Sequence, residues 1–340
     1  ELVIRRQETK MNKPYRKLSS TAALILLAAT ATAQSDIPMK PWGKPSLQGN
    51  WDFRTITPFT RPASFADREF LSEDEVEEYE AAVLAAREAR ATAEFDGDHD
   101  QSDLDVGYNQ FYLDQGTTMT TTMRTSQLIY PQNGRMPAMT GRGIETAGYF
   151  RALQRRSPEG PEDRNLFDRC ILGFNAGPPM RSGAYNNMMK LVQTEDYIVI
   201  QTEMVNDHRV IPTNGGQALP DNMRLWKGDS RGDWEGDTFV VTTTNFTHLS
   251  RFSGTGENMR LTERFTRLDE NRLEYQWTVE DLEMWQDKFT SVVEMTATDA
   301  DLFEYACHEA NYAMPLMLSG ARKQEAQGIE DDTWLPSWSR

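Results

Sequence analysis

From about residue 119 onward, apolar residues recur at every second position. In residues 272–280, Leu273, Tyr275, Trp277 and Val279 share one face, and Arg272, Glu274, Gln276, Thr278 and Glu280 share the other. Such alternation marks a strand with one buried and one solvated face. Phe289, Ser291, Val293 and Met295 repeat it against Lys288, Thr290 and Glu294. Residues 123–130, 189–194, 197–205, 208–212, 224–227, 238–246, 259–268 and 302–307 read as further strands. Gln132-Asn133-Gly134-Arg135 and Thr213-Asn214-Gly215-Gly216 supply turns. The residues from there to 187, before the run at 189–194, carry no period and read as loop. Eight to ten short strands with no helix between them predict a mainly β fold. It is an antiparallel meander closing into a barrel or sandwich, because an open sheet leaves edges uncovered.

The preceding stretch behaves differently. Pro38, Pro41, Pro45, Pro58 and Pro62 keep residues 34–70 extended. Inside it, Gly49-Asn50-Trp51-Asp52-Phe53 reads as a short strand. A Gly-x-Trp at the start of a barrel resembles lipocalin-like proteins, in which the Trp plugs one barrel end. One amphipathic helix follows, with Ser72 as N-cap and Glu75 completing a capping box. Val76, Tyr79, Val83 and Ala86 form its narrow apolar stripe, and Glu73, Asp74, Glu77 and Glu78 sit where the helix dipole favours acids. It should reach about Thr92 and pack on the outside of the sheet.

The chain also opens on a leader pattern. From Met11 come Lys13, Arg16 and Lys17, an apolar run over 18–31, and the small-x-small triplet Ala31-Thr32-Ala33. This predicts a bacterial signal peptide cleaved near Ala33, with residues 1–10 upstream of a candidate initiator Met, and a periplasmic or secreted protein. No later apolar run approaches eighteen residues, so no transmembrane segment is expected after cleavage. The expected organisation is upstream residues and leader (1–33), a Pro-rich arm with helix and acidic loop (34–118), a β-rich domain (119–320) and a C-terminal tail (321–340).

Charge narrows the partners. The 340 residues carry 36 basic and 52 acidic side chains, and residues 1–33 hold six and two of these, leaving 30 against 50. A surface this acidic repels phosphate backbones, so nucleic acid and anionic membrane are disfavoured. Cys170 and Cys307 are the two cysteines. In an oxidising compartment they suggest a disulfide, worth roughly 4–5 kcal/mol in the chain-entropy model. The alternative is a nucleophilic cysteine near His308, which needs a reduced thiol. No pattern sets an oligomeric state.

No Walker loop, dinucleotide glycine pattern, Gly-x-Ser-x-Gly, His-Glu-x-x-His or Cys-x-x-Cys occurs, so no cofactor is expected. The four histidines are too dispersed for a sequence-local metal site. Asp96-Gly97-Asp98-His99-Asp100, with Asp103 and Asp105, is either a solvated loop or half of a calcium loop. It has Gln101 where the calcium loop has glycine.

Four constellations remain. Glu203 and Glu263 interrupt apolar faces, where a buried carboxylate must be paired or have its pKa raised. Arg264, Arg209 and Arg231 are the candidate partners. Residues 228–237, with Asp229 and Trp234, form either a hairpin connection or a loop holding a cation or sugar. Gly173-Phe174-Asn175-Ala176-Gly177-Pro178-Pro179, leading to Tyr185-Asn186-Asn187, reads as a structured loop able to bind. His308, Glu309 and Asn311 follow Cys307, and a disulfide would draw them toward Arg169.

The blocks Arg169-Cys170-Ile171-Leu172-Gly173-Phe174-Asn175-Ala176-Gly177-Pro178-Pro179, Gly228-Asp229-Ser230-Arg231-Gly232, Trp234-Glu235-Gly236-Asp237-Thr238, Thr244-Asn245-Phe246 and Tyr305-Ala306-Cys307-His308-Glu309 resemble a family of exported bacterial proteins of acidobacterial and proteobacterial type. The resemblance spans most of the chain after residue 33. It implies export and a shared fold, and brings no activity or catalytic residue with it.

Three functions fit these patterns. The first is an exported β-barrel binding a small, partly apolar molecule or a glycan. Trp226, Trp234, Trp277 and Trp285 supply aromatic surface, and Asn175, Tyr185, Asn186, Asn187, Asp229, Trp234, Glu309 and Asn311 are its candidate ligand-binding residues. The second is an extracytoplasmic hydrolase or lyase with Glu203 or Glu263 as acid/base, His308 as proton shuttle and Arg231 stabilising a developing anion. The third is a non-catalytic surface or assembly component.

Overall fold

A computed structural model describes residues 37–91 and 113–329. The leader with its cleavage site and the acidic loop at 96–105 lie outside the described residues. In chain order the elements are β1 (Gly49–Asp52), α1 (Glu73–Ala91), β2 (Leu128–Tyr130), α2 (Gly141–Arg155), β3 (Met188–Gln193), β4 (Tyr197–Thr202), β5 (His208–Pro212), β6 (Asp229–Glu235), β7 (Thr238–Thr244), β8 (Arg260–Arg267), β9 (Arg272–Glu280), β10 (Phe289–Thr298) and α3 (Ala313–Ala326).

The strands form one mainly antiparallel β sheet, nearly closed into a barrel, in the order β5-β4-β3-β1-β10-β9-β8-β7-β6. Every neighbouring pair along that path is antiparallel. Nine alternating strands leave the end strands β5 and β6 running in the same direction, so their seam cannot be zipped by an antiparallel ladder. It is closed instead by Gly215 N donating to Gly232 O at 2.8 Å. Lys227 Nζ also bonds Asp207 Oδ1 across it at 2.5 Å. Short β2 lies beside β10 ahead of β1.

The period-2 pattern fills the interior. Leu273, Tyr275, Trp277 and Val279 of β9 and Phe289, Val293 and Met295 of β10 are all buried in one core with Trp51, Phe239 and Phe265. Burying a large apolar side chain contributes about 1.5–3 kcal/mol, so this packed lumen is the main source of stability. Trp51 is fully buried toward the end of the barrel where β8 finishes: its Nε1 donates to Leu47 O at 3.0 Å and the guanidinium of Arg267, the last residue of β8, lies 4.6 Å over its ring. The capping box forms as read, with Glu75 N on Ser72 Oγ (3.3 Å) and Ser72 N on Glu75 Oε2 (2.9 Å). Val76, Tyr79 and Val83 pack on Ile56, Leu71 and Met119, outside the barrel core.

Three local expectations are corrected. Residues 229–235 form β6 rather than a loop. Their inward position is Gly232, where a Cβ would strike the Phe239 ring at 2.1 Å, so no alternating apolar residue announces the strand. Residues 302–307 and 224–227 form no strand, apart from a single parallel bridge between Leu225 and Phe246. Two helices appear where loop and tail were expected. In α2, Thr140 caps the first turn through Gly143 N (3.0 Å). Gly143 is required there because a Cβ would meet Met284 O at 2.1 Å. Only Gly143 and Leu153 of α2 are buried, and α3 buries only Ala321, so neither helix shows a clear apolar stripe.

Candidate functional site

At the end of the barrel opposite Trp51, where β7 finishes and β8 begins, lies a cavity of about 420 Å³. The barrel lumen is occupied by side chains, so the cavity sits on the mouth rather than inside. Its walls come from α2 (Phe150, Leu153, Gln154), the segment 162–181, Trp226, residues 246–253 and Met259. Phe167, Phe174, Trp226, Phe246 and Phe252 make much of the lining aromatic.

The segment 162–181 has no regular strand, and side chains fix its shape instead. Cys170 and Cys307 form a disulfide that ties it to the stretch before α3. Asn311 Nδ2 reinforces the junction by donating to Asp168 O at 3.2 Å. Asn175 Nδ2 donates to Tyr185 O (2.9 Å) and Asn186 O (3.0 Å), while Asn187 Nδ2 reaches Asp114 O (2.8 Å). Tyr185 packs between Phe174 and Tyr305, and burial, with the neighbouring Tyr305, pushes its phenol up to about 12. Met180 N donates to Tyr275 OH at 3.0 Å, fastening the loop to the barrel interior.

Four arginines line the cavity: Arg164, Arg169, Arg181 and Arg251. Arg164 is occupied, donating to Leu153 O (3.2 Å) and Arg156 O (2.7 Å) at the C-terminus of α2, where a cation meets the helix dipole favourably. The other three face aromatic rings. Arg169 lies 5.7 Å from the Trp226 ring centre, Arg181 lies 4.8 Å from Phe59 and 5.9 Å from Phe252, and Arg251 stands over Phe150. Burial lowers the pKa of Arg181, and brings that of Arg251 down to about 10. The lining acids are Glu162 and Asp163, and Asp163 is held by Arg156 at 3.2 Å.

The sequence-derived loop 173–179 and Trp226 do line this cavity, through Gly173, Phe174, Gly177, Pro178 and Pro179, but none of the individual candidate catalytic or ligand-binding side chains does. Glu263 is 0% exposed and fully engaged: Arg209 donates to both oxygens (2.7 and 2.8 Å) and Tyr275 OH donates to Oε1 (2.6 Å). Burial opposes the charge on Arg209, but the adjacent carboxylate outweighs it and raises its pKa. Burial, followed by that same carboxylate, pushes the Tyr275 phenol well up. Glu203 is buried and accepts from Phe303 N at 3.0 Å. Arg231 pairs with Asp229 at 3.3 Å, and Trp234 packs on Phe239 with Lys44 over its ring. His308 and Glu309 are exposed, while Asn175, Asn187 and Asn311 brace the cavity wall from behind.

Arg169, Arg181 and Arg251 are the site residues that periodicity misses. A signal for them exists: stretches 169–194 and 238–256 contain none of the chain's 52 acids, yet each carries arginine. Among the described residues, no group of histidine, cysteine and carboxylate side chains is arranged to hold a metal, and no helix is long and apolar enough to cross a membrane. No protein-family model matches the chain, and no curated protein matches it.

Proposed function

We propose that this chain is an exported binding protein that holds a small, partly apolar molecule in the cavity at the barrel mouth. The observation that carries the reading is a cavity of about 420 Å³ with aromatic walls, beside a lumen packed with buried side chains. Small-molecule sites fall at roughly 300–1,000 Å³, with mostly apolar linings and few polar groups. A braced loop wall keeps the site preformed, which limits the ordering cost on binding. Export is supported by the leader pattern at 11–33, by the disulfide, and by the resemblance to exported bacterial proteins.

Arginines and aromatic rings suit a partly apolar ligand better than a glycan, whose hydroxyls call for amides and carboxylates. The hydrolase or lyase reading is the weaker one. Glu203, Glu263, His308 and Arg231 all lie away from the cavity lining, and the oxygens of Glu263 are already bonded.

The test is titration with N-phenyl-1-naphthylamine, a neutral apolar fluorophore. The wild type should bind it saturably at one site, and Leu249→Trp or Leu172→Trp, each filling the cavity, should reduce binding at least tenfold with the fold intact by circular dichroism. Binding that is unsaturable, or unchanged in both folded variants, contradicts the proposal.

A further inference from the structure

In a chain with sixteen more acids than bases, the cavity is lined by four arginines and two acids. The guanidinium groups of Arg169, Arg181 and Arg251 have no ion-pair or hydrogen-bond partner among the described residues, and Nη1 of Arg169 is both buried and unpartnered. Withdrawing cations from water without a counter-charge is costly. At two other arginines carboxylates answer that cost. Buried Arg209 receives Glu263 through two bonds, and Arg156 receives Glu159 and Asp163. At the cavity the aromatic faces supply only part of the compensation. They also hold the guanidiniums in place with donors unused. Fixed, unspent donors around one cavity are the arrangement that receives an anion.

We infer that the ligand of this cavity is an amphipathic anion, its carboxylate, sulfonate or phosphate group held by Arg169, Arg181 and Arg251 and its apolar body lying against Phe150, Trp226 and Phe252. This rests on the preceding reading of the cavity as the ligand site, and adds the charge of what enters it. The acidic exterior and the basic cavity then act together: the surface repels anionic polymers, while a small anion that reaches the mouth meets a local field of opposite sign.

The experiment measures direct affinities of dodecanol, dodecanoate and dodecyl phosphate by calorimetry, with displacement of N-phenyl-1-naphthylamine as a second readout. The anions should bind about 10- to 100-fold tighter than the alcohol, the effect of one to two charge-assisted hydrogen bonds. The carboxylate–phosphate ratio identifies the preferred head group. Arg181→Met and Arg251→Gln should each remove most of the preference, read as the ratio of anion to dodecanol affinity within each variant. The melting temperature of unliganded Arg181→Met should not fall, because an uncompensated charge is removed; a purely structural arginine would lower it. Should either variant fold poorly, wild-type salt dependence decides: between 0.05 and 0.5 M NaCl the anions should lose affinity and dodecanol should not. Equal affinities of alcohol and anions, or unaltered preference in both folded variants, overturns the anion assignment and leaves the cavity reading standing. Absence of saturable binding by all three compounds and the fluorophore overturns the cavity reading itself.

Discussion

Glu263 and Arg181 show two ways a charged residue is kept out of water. Glu263 stands in the apolar face of β8 with both oxygens engaged by Arg209 and Tyr275. Removing one partner of a buried pair strands the other, at a cost of roughly 3–5 kcal/mol. Glu263→Gln should therefore lower stability by about that amount in chemical denaturation. Ligand affinity should stay unchanged, because the residue does not line the cavity. Intact stability with lost binding would return Glu263 to the list of functional residues. That Glu263 breaks the alternation was legible in the sequence. Its partner was not, because Arg209, Arg231 and Arg264 were equally available and the chosen one lies 54 positions away. In the structure Arg264 faces outward to Glu235 and Arg231 turns to Asp229. Arg181 has no carboxylate partner among the described residues, and no single-residue pattern announces that.

At the level of elements, legibility followed burial. Strands β5 and β9 have the expected bounds because one face of each lies in the core, and α1 begins where its capping box places it. Strand β6 was hidden by Gly232 on its inward face, and α2 and α3 by surfaces that bury almost nothing. Pairing also creates conflicts that one strand cannot show. Register sets Glu274 of β9 directly opposite Glu294 of β10. Burial first, and Glu294 second, raise the pKa of Glu274. A raised carboxylate pKa costs the folded state stability above that pKa, and the cost is relieved as pH falls through it. Glu274→Gln should accordingly stabilise the protein by about 0.2–1 kcal/mol at pH 7, with the gain vanishing below the ordinary glutamate range. Thermal melts across pH 4–8 check this. A destabilised variant at pH 7 would mean that attraction to Arg124 and Arg264 outweighs the repulsion.

For the molecule as a whole, the barrel serves as a rigid base and the cavity is assembled on top of it from segments far apart in sequence. Phe150, Arg169, Arg181, Trp226 and Arg251 meet only because α2, the loop before β3, the β5–β6 connection and the β7–β8 connection converge on one barrel end. Local periodicity reports which residues face the core, so it could predict the barrel but not the convergence above it. The disulfide was readable from cysteine count, and its location explains its use: across 137 positions it pins the cavity wall to the C-terminal stretch. The Gly/Asn/Pro composition of residues 173–179 pointed to the same loop, while the arginine lining became visible only with the fold.

The most direct test of the account is to locate a bound ligand by anomalous diffraction, using crystals grown with 12-bromododecanoate. The account predicts bromine density within the mouth cavity, beside Phe150, Trp226 or Phe252, with the carboxylate turned to Arg169, Arg181 and Arg251. Bromine density inside the barrel beside Tyr275, or at the molecular surface with the cavity empty, would contradict it.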